Sequence, residues 1–185
     1  MKTKILLSIM LVFGALITTN AQTFKNGDFN INAGLGLGYT YGIYSGSTSW
    51  PAIVVSGEKG FKEIGDVGVI SLGGIVAFKH ISYSASSWSW NDFYVGGRGA
   101  LHLTSIKMDK LDVYGGASLG LRFYTYPEGV VTLTYPYYDI QKKTHATVFF
   151  GIFGGAKYSL TEKIGIFGEL GYDVSWIKLG VSFKL

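Results

Sequence analysis

The amino-acid sequence predicts an all-β fold: an eight-stranded antiparallel transmembrane β-barrel whose strands follow one another as an up-and-down meander. Three observations predict it, namely repeated segments of alternating apolar and polar residues, connections of alternating length, and an export signal at the N-terminus. Glycine makes up 27 of the 185 residues, and aromatic residues make up 16%. After the N-terminal segment no apolar run reaches the roughly 18 residues that indicate a spanning helix. The sequence therefore favours crossing by strands.

The N-terminal segment is typical of a secretory signal peptide. Lys2 and Lys4 precede the apolar run "ILLSIMLVFGALI", and the small-residue pattern ending at Ala21 follows it. The run is 13 residues long, whereas a spanning helix needs about 20. We therefore expect residues 1–21 to be removed after export and residues 22–185 to form the barrel domain.

Charge and cysteine content exclude several classes of protein. Without Lys2 and Lys4 the chain has 14 basic against 12 acidic residues. No basic cluster remains to follow a phosphate backbone, so no nucleic-acid partner is expected. The chain has no cysteine, which excludes disulfide bonds and leaves stability to packing and backbone pairing.

The first predicted strand, 28–41, shows the pattern in its clearest form. In "FNINAGLGLGYTY" the odd positions are apolar or aromatic, and the even positions are mostly glycine and asparagine. Side chains of a strand alternate between its two faces, so this segment has one apolar and one polar face.

The next three predicted strands are 51–61, 67–82 and 92–103. The third of the eight, "VGVISLGGIVAFKHISY", is the least regular because its alternation blurs at Gly73 and Gly74. A glycine pair inside a strand often marks a β-bulge, so we expect one there.

The last four predicted strands are 111–125, 145–159, 164–172 and 175–185. "LDVYGGASLGLRFY" alternates like the first strand, and the C-terminal segment sets Ile177, Leu179 and Val181 against Lys178, Gly180 and Ser182.

The links after the second, fourth and sixth strands are short and charged, while those after the first, third and fifth are longer. An even strand number with such loops is typical of a membrane barrel. Closure pairs the backbone groups that lipid would leave unsatisfied.

The polar face indicates which side meets lipid. A soluble secreted barrel such as a lipocalin would also alternate, with its apolar face around an internal ligand. The polar face here is mostly small, with few charges, which suits a narrow interior better than a water-exposed exterior. Aromatic residues near the long-loop ends are expected to form a girdle at the membrane interface: Tyr39, Tyr41, Tyr44, Trp50, Trp88, Trp90, Phe93, Tyr124, Tyr126, Tyr172 and Trp176.

Four charged residues are predicted to point into the lumen: Glu58, Arg98, Lys157 and Glu169. Confined charges are tolerated when they are paired, so we expect a salt-bridged plug. A gated pore or proton path is the alternative, disfavoured because side chains fill an eight-stranded interior. Arg122 lies higher, where it would meet an external ligand at the outer mouth.

Motifs for catalysis, cofactors and metals are weak. "GLGLGYTYG" lacks the third glycine of a dinucleotide site, and no nucleophile elbow or metalloprotease motif occurs. His102 and Asp112 are expected to hydrogen-bond at the short-turn end, without a third ligand for a metal. No cofactor and no catalytic residue is predicted. His80 and Ser82 form an incomplete pair that a lipid-modifying enzyme would use.

The longest loop, 126–143, is the predicted interaction region. Its segment "VVTLTYPYYDI" has strand-like composition and contains Val130, Thr132, Tyr135, Tyr137 and Tyr138. Protruding strands would offer an edge to an extracellular protein partner. An ordinary loop over the barrel mouth is the alternative, since Pro127 and Pro136 interrupt pairing.

The stretches "FYVGGRGALHL", "LDVYGGASLGLRF" and "GAKYSLTEKIGIFGELGYDVSWIKLGVSFKL" resemble small eight-stranded outer-membrane barrels of the OmpX, OmpW and opacity-protein type. The resemblance implies the outer membrane of a Gram-negative cell, outer-membrane lipid as surroundings, and insertion by the barrel-assembly machinery. The chain departs from the usual aromatic C-terminus by ending in Leu185, with Phe183 before it. The activities of such proteins are diverse and include adhesion, surface defence and small-solute passage, so the resemblance does not settle the function. We expect a non-enzymatic structural or surface-interaction role, with small-solute transport as the alternative.

Overall fold

The computed structural model describes residues 24–38, 47–83, 89–106, 108, 110–129 and 140–185. The predicted signal peptide and the centre of the predicted interaction loop lie outside these residues. Within them no helix is long and apolar enough to cross a membrane. The described chain is all-β, and its strands are β1 Phe29–Leu37, β2 Ser47–Ser49, β3 Ala52–Ile64, β4 Gly68–Tyr83, β5 Ser89–Leu103, β6 Leu111–Gly129, β7 Ile140–Ser159, β8 Ile164–Tyr172 and β9 Ile177–Lys184.

Eight of these strands close into a ring. Each ring strand pairs antiparallel with its neighbours in the order β1, β3, β4, β5, β6, β7, β8, β9, and β9 pairs again with β1. The closing ladder runs from Asn30 opposite Lys184 to Leu37 opposite Ile177. The short β2 lies outside the ring and pairs with the end of β4. The predicted fold, an eight-stranded antiparallel up-and-down barrel, is confirmed, and β6 and β7 extend further than predicted.

The two faces of the ring strands have opposite character. On β1 and β3, Leu35 and Ile53 are 52% and 58% exposed, whereas Asn32 and Ser56 on the same two strands are 5% and 3% exposed. The apolar side chains thus point out of the barrel and the polar ones into it. A lipocalin-like carrier requires the reverse arrangement, so that alternative is wrong.

The lumen also contains apolar residues. A buried cluster fills part of it, formed by Ala52, Val54, Ile75, Ala77, Tyr94, Phe149 and Val174. A second cluster consists of Ala100, Tyr114 and Phe153. These side chains leave the charged residues of the lumen in a largely water-excluded interior.

The bulge predicted at Gly73 and Gly74 is wrong. The register of β4 runs without interruption through both glycines, against β3 and against β5. The irregularity lies instead in β3, between Gly60 and Lys62, where Phe61 is the extra residue. The alternation of β4 blurs in the sequence because apolar residues such as Ile75 and Ala77 occupy its inward face.

The residues of the predicted aromatic girdle differ in their exposure. Trp50, Phe93, Tyr172 and Trp176 are exposed. Trp90 is only 7% exposed and shares the inward register of β5, so its assignment to the girdle is wrong. Tyr39, Tyr41, Tyr44 and Trp88 lie outside the described residues.

Gly73 does not form a bulge, but we expect that a larger residue at this position would destabilise the barrel. A Cβ at this position would collide with the backbone carbonyl oxygen of Gly57, while a Cβ at Gly74 would meet its nearest atom at 3.4 Å. We predict that Gly73→Ala lowers the free energy of unfolding by about 1–3 kcal/mol, as overpacking does. Urea unfolding of the refolded barrel measures this. Gly74→Ala is the matched control, and equal losses in both variants would contradict the prediction.

Candidate functional site

Arg98 of β5 is the centre of the charged interior. Its Nε lies 2.5 Å from Glu58 Oε1 on β3, and its Nη2 lies 2.8 Å from Glu169 Oε1 on β8. The guanidinium also stacks 3.9 Å from the centroid of the Phe153 ring. The three charged side chains are each at most 2% exposed. Such burial is tolerated because each charge has opposite partners at hydrogen-bonding distance.

The cluster continues towards the β8–β9 turn. Lys178 Nζ lies 2.8 Å from Glu169 Oε2 and 2.5 Å from Asp173 Oδ2. Sequence reasoning placed Lys178 on the polar face of the last strand without assigning it to the cluster, and it missed Asp173. The inward parity shared by Lys178 and Ser182 is the signal that would have found the lysine.

The cluster continues in the other direction through His102. The ring Nε2 lies 3.3 Å from Glu58 Oε2, and the ring Nδ1 lies 2.9 Å from both oxygens of Asp112. Lys157 Nζ lies 3.0 Å from Asp112 Oδ2. The predicted contact between His102 and Asp112 is therefore present. Among the contacts of the described residues, Lys157 is linked to Arg98 through Asp112, His102 and Glu58.

These contacts form one continuous chain of charges, called here the lumen network: Lys157, Asp112, His102, Glu58, Arg98, Glu169, Lys178 and Asp173. Positive and negative groups alternate along it. It contains four carboxylates and three permanent cations, so a protonated His102 makes it neutral. Both ring nitrogens lie within 3.3 Å of carboxylate oxygens, and a ring that donates from both nitrogens is the charged imidazolium form.

A second polar cluster lies nearer the long-loop end. Arg122 Nε and Nη2 lie 3.0 and 2.7 Å from Asp92 Oδ2, and Tyr94 donates a hydrogen bond to the same oxygen at 3.3 Å. Lys79 donates to the carbonyl oxygens of Gly38 and Val174 at 2.7 and 3.2 Å. Arg122 is only 9% exposed. The contact of Arg122 with an external ligand stays a prediction.

The N-terminal segment covers the opposite end of the lumen. Phe24 is 3% exposed and stacks on the His102 ring with 4.0 Å between centroids. Lys157 Nζ lies 5.2 Å from the Phe24 ring centroid. Asp28 is held by an ion pair with Lys184 at 2.6 Å. This segment, residues 24–28, is called here the N-terminal latch, because it closes the lumen directly beneath the histidine.

The residues of the enzymatic alternative do not form a pair. His80 hydrogen-bonds to Asn91 at 2.7 Å, while Ser82 donates to the carbonyl oxygen of Thr48 at 3.4 Å. Within the described residues no group of three or more His, Cys, Asp or Glu is arranged to hold a metal ion.

Another serine does approach a histidine. Ser71 Oγ lies 3.1 Å from His102 Nε2, whose Nδ1 meets Asp112, so the distances match those of a Ser-His-Asp triad. However, Ser71 is fully buried and its hydroxyl donates to Glu58 Oε2 at 3.0 Å. A hydroxyl that donates its hydrogen to a carboxylate does not donate it to the histidine, which is the contact that activates a serine nucleophile.

The predicted interaction residues Val130, Thr132, Tyr135, Tyr137 and Tyr138 lie outside the described residues. The strands on either side of them are described. Pairing between β6 and β7 continues to Gly129 opposite Ile140. In contrast, β5 pairs with β6 only as far as Asp92 opposite Tyr124, and β8 pairs with β7 only as far as Tyr172 opposite Ile152. The β6–β7 hairpin therefore stands above both neighbouring strands.

Comparison with known proteins finds similarity in solved structures. No protein-family model and no curated protein sequence matches the chain. The N-terminal β-barrel domain of Pseudomonas aeruginosa OprF is 16% identical, with a TM-score of 0.47 over 86% of this chain and 98% of that chain. Ail, the attachment invasion locus protein of Yersinia pestis, is 12% identical, with a TM-score of 0.42 over 86% of this chain and 96% of that chain.

Arg98 is expected to be essential to stability because two buried carboxylates depend on it. We predict that Arg98→Met lowers the free energy of unfolding by about 3–5 kcal/mol, since it leaves uncompensated charge in the interior. Combining it with Glu58→Gln and Glu169→Gln should restore most of the loss. Urea unfolding of the refolded barrel checks both statements. A triple variant less stable than Arg98→Met would show that pairing is not the cause.

The N-terminal latch is expected to control access to the lumen from its lower end. The chain is free of cysteine, so Ser71→Cys gives a single reporter thiol directly beyond His102. We predict that adding Phe24→Ala raises the rate of its modification by a small water-soluble thiol reagent at least about tenfold, because local opening is no longer needed. Thr161→Cys, at a short turn, is the accessible control. An unchanged rate at the buried reporter thiol would contradict the latch.

Proposed function

We propose that this protein is a non-enzymatic barrel of the outer membrane of a Gram-negative cell, with a structural or surface-interaction role and a plugged lumen. The observation that supports it best is the outward apolar face, which continues around the ring. Leu119, Val148, Leu170 and Leu179 are each more than half exposed on β6, β7, β8 and β9. Such a surface is stable in hydrocarbon and costly in water.

The direction of the barrel follows from its two ends. The links from β3 to β4, β5 to β6 and β7 to β8 lie at one end with the N-terminal latch, while the tall β6–β7 hairpin rises from the other end, which also carries the tight β8–β9 turn. Outer-membrane barrels have short periplasmic turns and longer extracellular loops. We therefore place the latch in the periplasm and the hairpin outside the cell, with the barrel-assembly machinery as the partner during insertion.

Passage of a solute is disfavoured by the contents of the lumen. The lumen network links side chains from β3, β5, β6, β7, β8 and β9 at distances of 2.5–3.3 Å. Tyr94 and Phe149 pack edge to face above it, with 5.5 Å between centroids. A small-solute transporter would need a continuous cavity through both layers. The contacts support a plug instead.

The surface-interaction role is supported by the β6–β7 hairpin. Since β8 ends opposite Ile152, β6 is the strand that pairs with the upper part of β7 within the part of the chain that the structure describes. A strand edge of this kind offers backbone groups to an added strand of a partner protein. Exposed Thr144 and Thr147 lie on this part of β7, which gives the edge the β propensity that strand addition requires.

Shortening the hairpin is expected to abolish adhesion. Removing residues 125–144 and joining Tyr124 to His145 through Asn-Gly keeps their register and supplies a two-residue turn. We predict that cells carrying this variant lose attachment to immobilised extracellular protein, while the barrel remains folded by its heat-modifiable gel migration.

A second variant separates the backbone edge from the loop side chains. It keeps the hairpin and replaces Thr132, Tyr135, Tyr137 and Tyr138 with serine. Attachment that survives in this variant identifies the edge as the binding element, and loss in both variants identifies the loop residues. Undiminished attachment by the shortened barrel would reject the adhesive role.

A further inference from the structure

Two lysines interrupt the apolar exterior. Among the side chains that the structure describes, Lys59 and Lys62 are the charged ones that the register directs outward from the ring strands. Lys59 lies opposite Phe29 of β1 and Leu72 of β4, which are both exposed apolar residues. Lys62 lies beyond the bulged Phe61, nearer the β3–β4 turn.

Lys59 lies in a groove on the outer surface. The groove is lined by Asn26, Gly27, Lys59, Gly60, Phe61 and Leu72. Its apolar walls are well exposed, with Phe61 at 66% and Leu72 at 50%. One wall is the N-terminal latch, and the opposite wall is the outward surface of β4.

Backbone hydrogen bonds between the N-terminal latch and β3 hold the groove together. Gly27 donates its N–H to the carbonyl oxygen of Gly60 at 3.0 Å, and Gly60 donates to that of Asp28 at 2.8 Å. Gly27 has a φ of 90°, which favours glycine at this turn. A Cβ on Gly60 would collide with the carbonyl oxygen of Lys25. The latch therefore meets β3 at the bulge, and Lys59 adjoins the junction.

The energy of a charge on the lipid face depends on its depth. A lysine costs about 2–4 kcal/mol at the middle of the membrane and about 0–1 kcal/mol near the interface. Phe29, opposite Lys59, is the first residue of β1, and its carbonyl oxygen accepts from the C-terminal Leu185 at 2.9 Å. Lys59 thus lies at the lower margin of the apolar belt, where a lysine extends its ammonium group to lipid headgroups.

We propose that this groove binds a glycerophospholipid of the periplasmic leaflet, with the phosphate on the Lys59 ammonium and an acyl chain along Phe61 and Leu72. The inference rests on the proposed membrane location. The class of ligand is inferred from the charge of the groove and from its continuity with the lipid-facing surface. The groove combines a cation with apolar walls that continue directly into the lipid-facing belt, and a phospholipid carries an anion and a hydrocarbon chain in that order.

The test uses the refolded full barrel with dioleoylphosphatidylglycerol as the probe, and native mass spectrometry measures the lipid retained. Lys59→Gln should weaken the affinity for this lipid about ten- to hundredfold, the effect of losing one charge-assisted hydrogen bond. Lys59→Arg should retain binding. Lys62→Gln is the matched control, because Lys62 belongs to the same strand and does not line the groove. Dioleoylglycerol, which lacks the phosphate, should bind no better to the unmodified barrel than to Lys59→Gln.

The outcomes distinguish failure of the proposed lipid site from failure of the proposed membrane location. Equal losses in Lys59→Gln and Lys62→Gln, or equal retention of dioleoylglycerol, overturn the groove while the barrel still inserts into vesicles. Competition by inorganic phosphate alone, without any effect of the acyl chains, overturns the lipid as occupant. Failure of the unmodified barrel to insert into vesicles overturns the proposed function as well.

Discussion

Closure of the ring by pairing between β1 and β9 is the constraint on which the rest of the structure depends. It gives every ring strand two neighbours along the ladder, so the barrel body has no lateral edge that must be covered by another layer. Backbone polarity is satisfied within the wall, and the outer side chains are free to be apolar. The same closure fixes a narrow interior, which must hold every side chain of opposite parity.

A narrow interior makes pairing of charges necessary. Arg98 is surrounded by walls on every side, so its charge is balanced by two carboxylates and by the face of Phe153. Each carboxylate then needs a further donor, which His102 supplies for Glu58 and Lys178 supplies for Glu169. Positive and negative charges alternate along the lumen network because of this requirement. Two like charges in contact would be strongly destabilising when they are buried to this extent.

Parity along single strands was enough to predict the fold and part of the interior. It placed Glu58, Arg98 and Glu169 on the polar face, and their mutual contacts followed from the small diameter. Parity did not identify Lys79 as a lumen residue. This lysine shares the inward face of β4 with Ile75 and Ala77, so that face does not alternate as polar against an apolar outer face. The bulge was misplaced for a related reason. It lies at Gly60, where the latch hydrogen-bonds to β3, and a contact between such distant parts of the chain leaves no local sequence pattern.

Asp173 relates two features of the upper end of the barrel, the tight β8–β9 turn and the tall β6–β7 hairpin. Its carboxylate accepts from the backbone N–H of Val174 at 2.6 Å and binds Lys178, which fixes the tight β8–β9 turn. Because this turn follows Tyr172 directly, β8 has no residue left to pair with β7 above Ile152. The residue at the end of the lumen network thus lies directly beyond the last residue of β8 that pairs with β7, at the lower limit of the upper edge of β7.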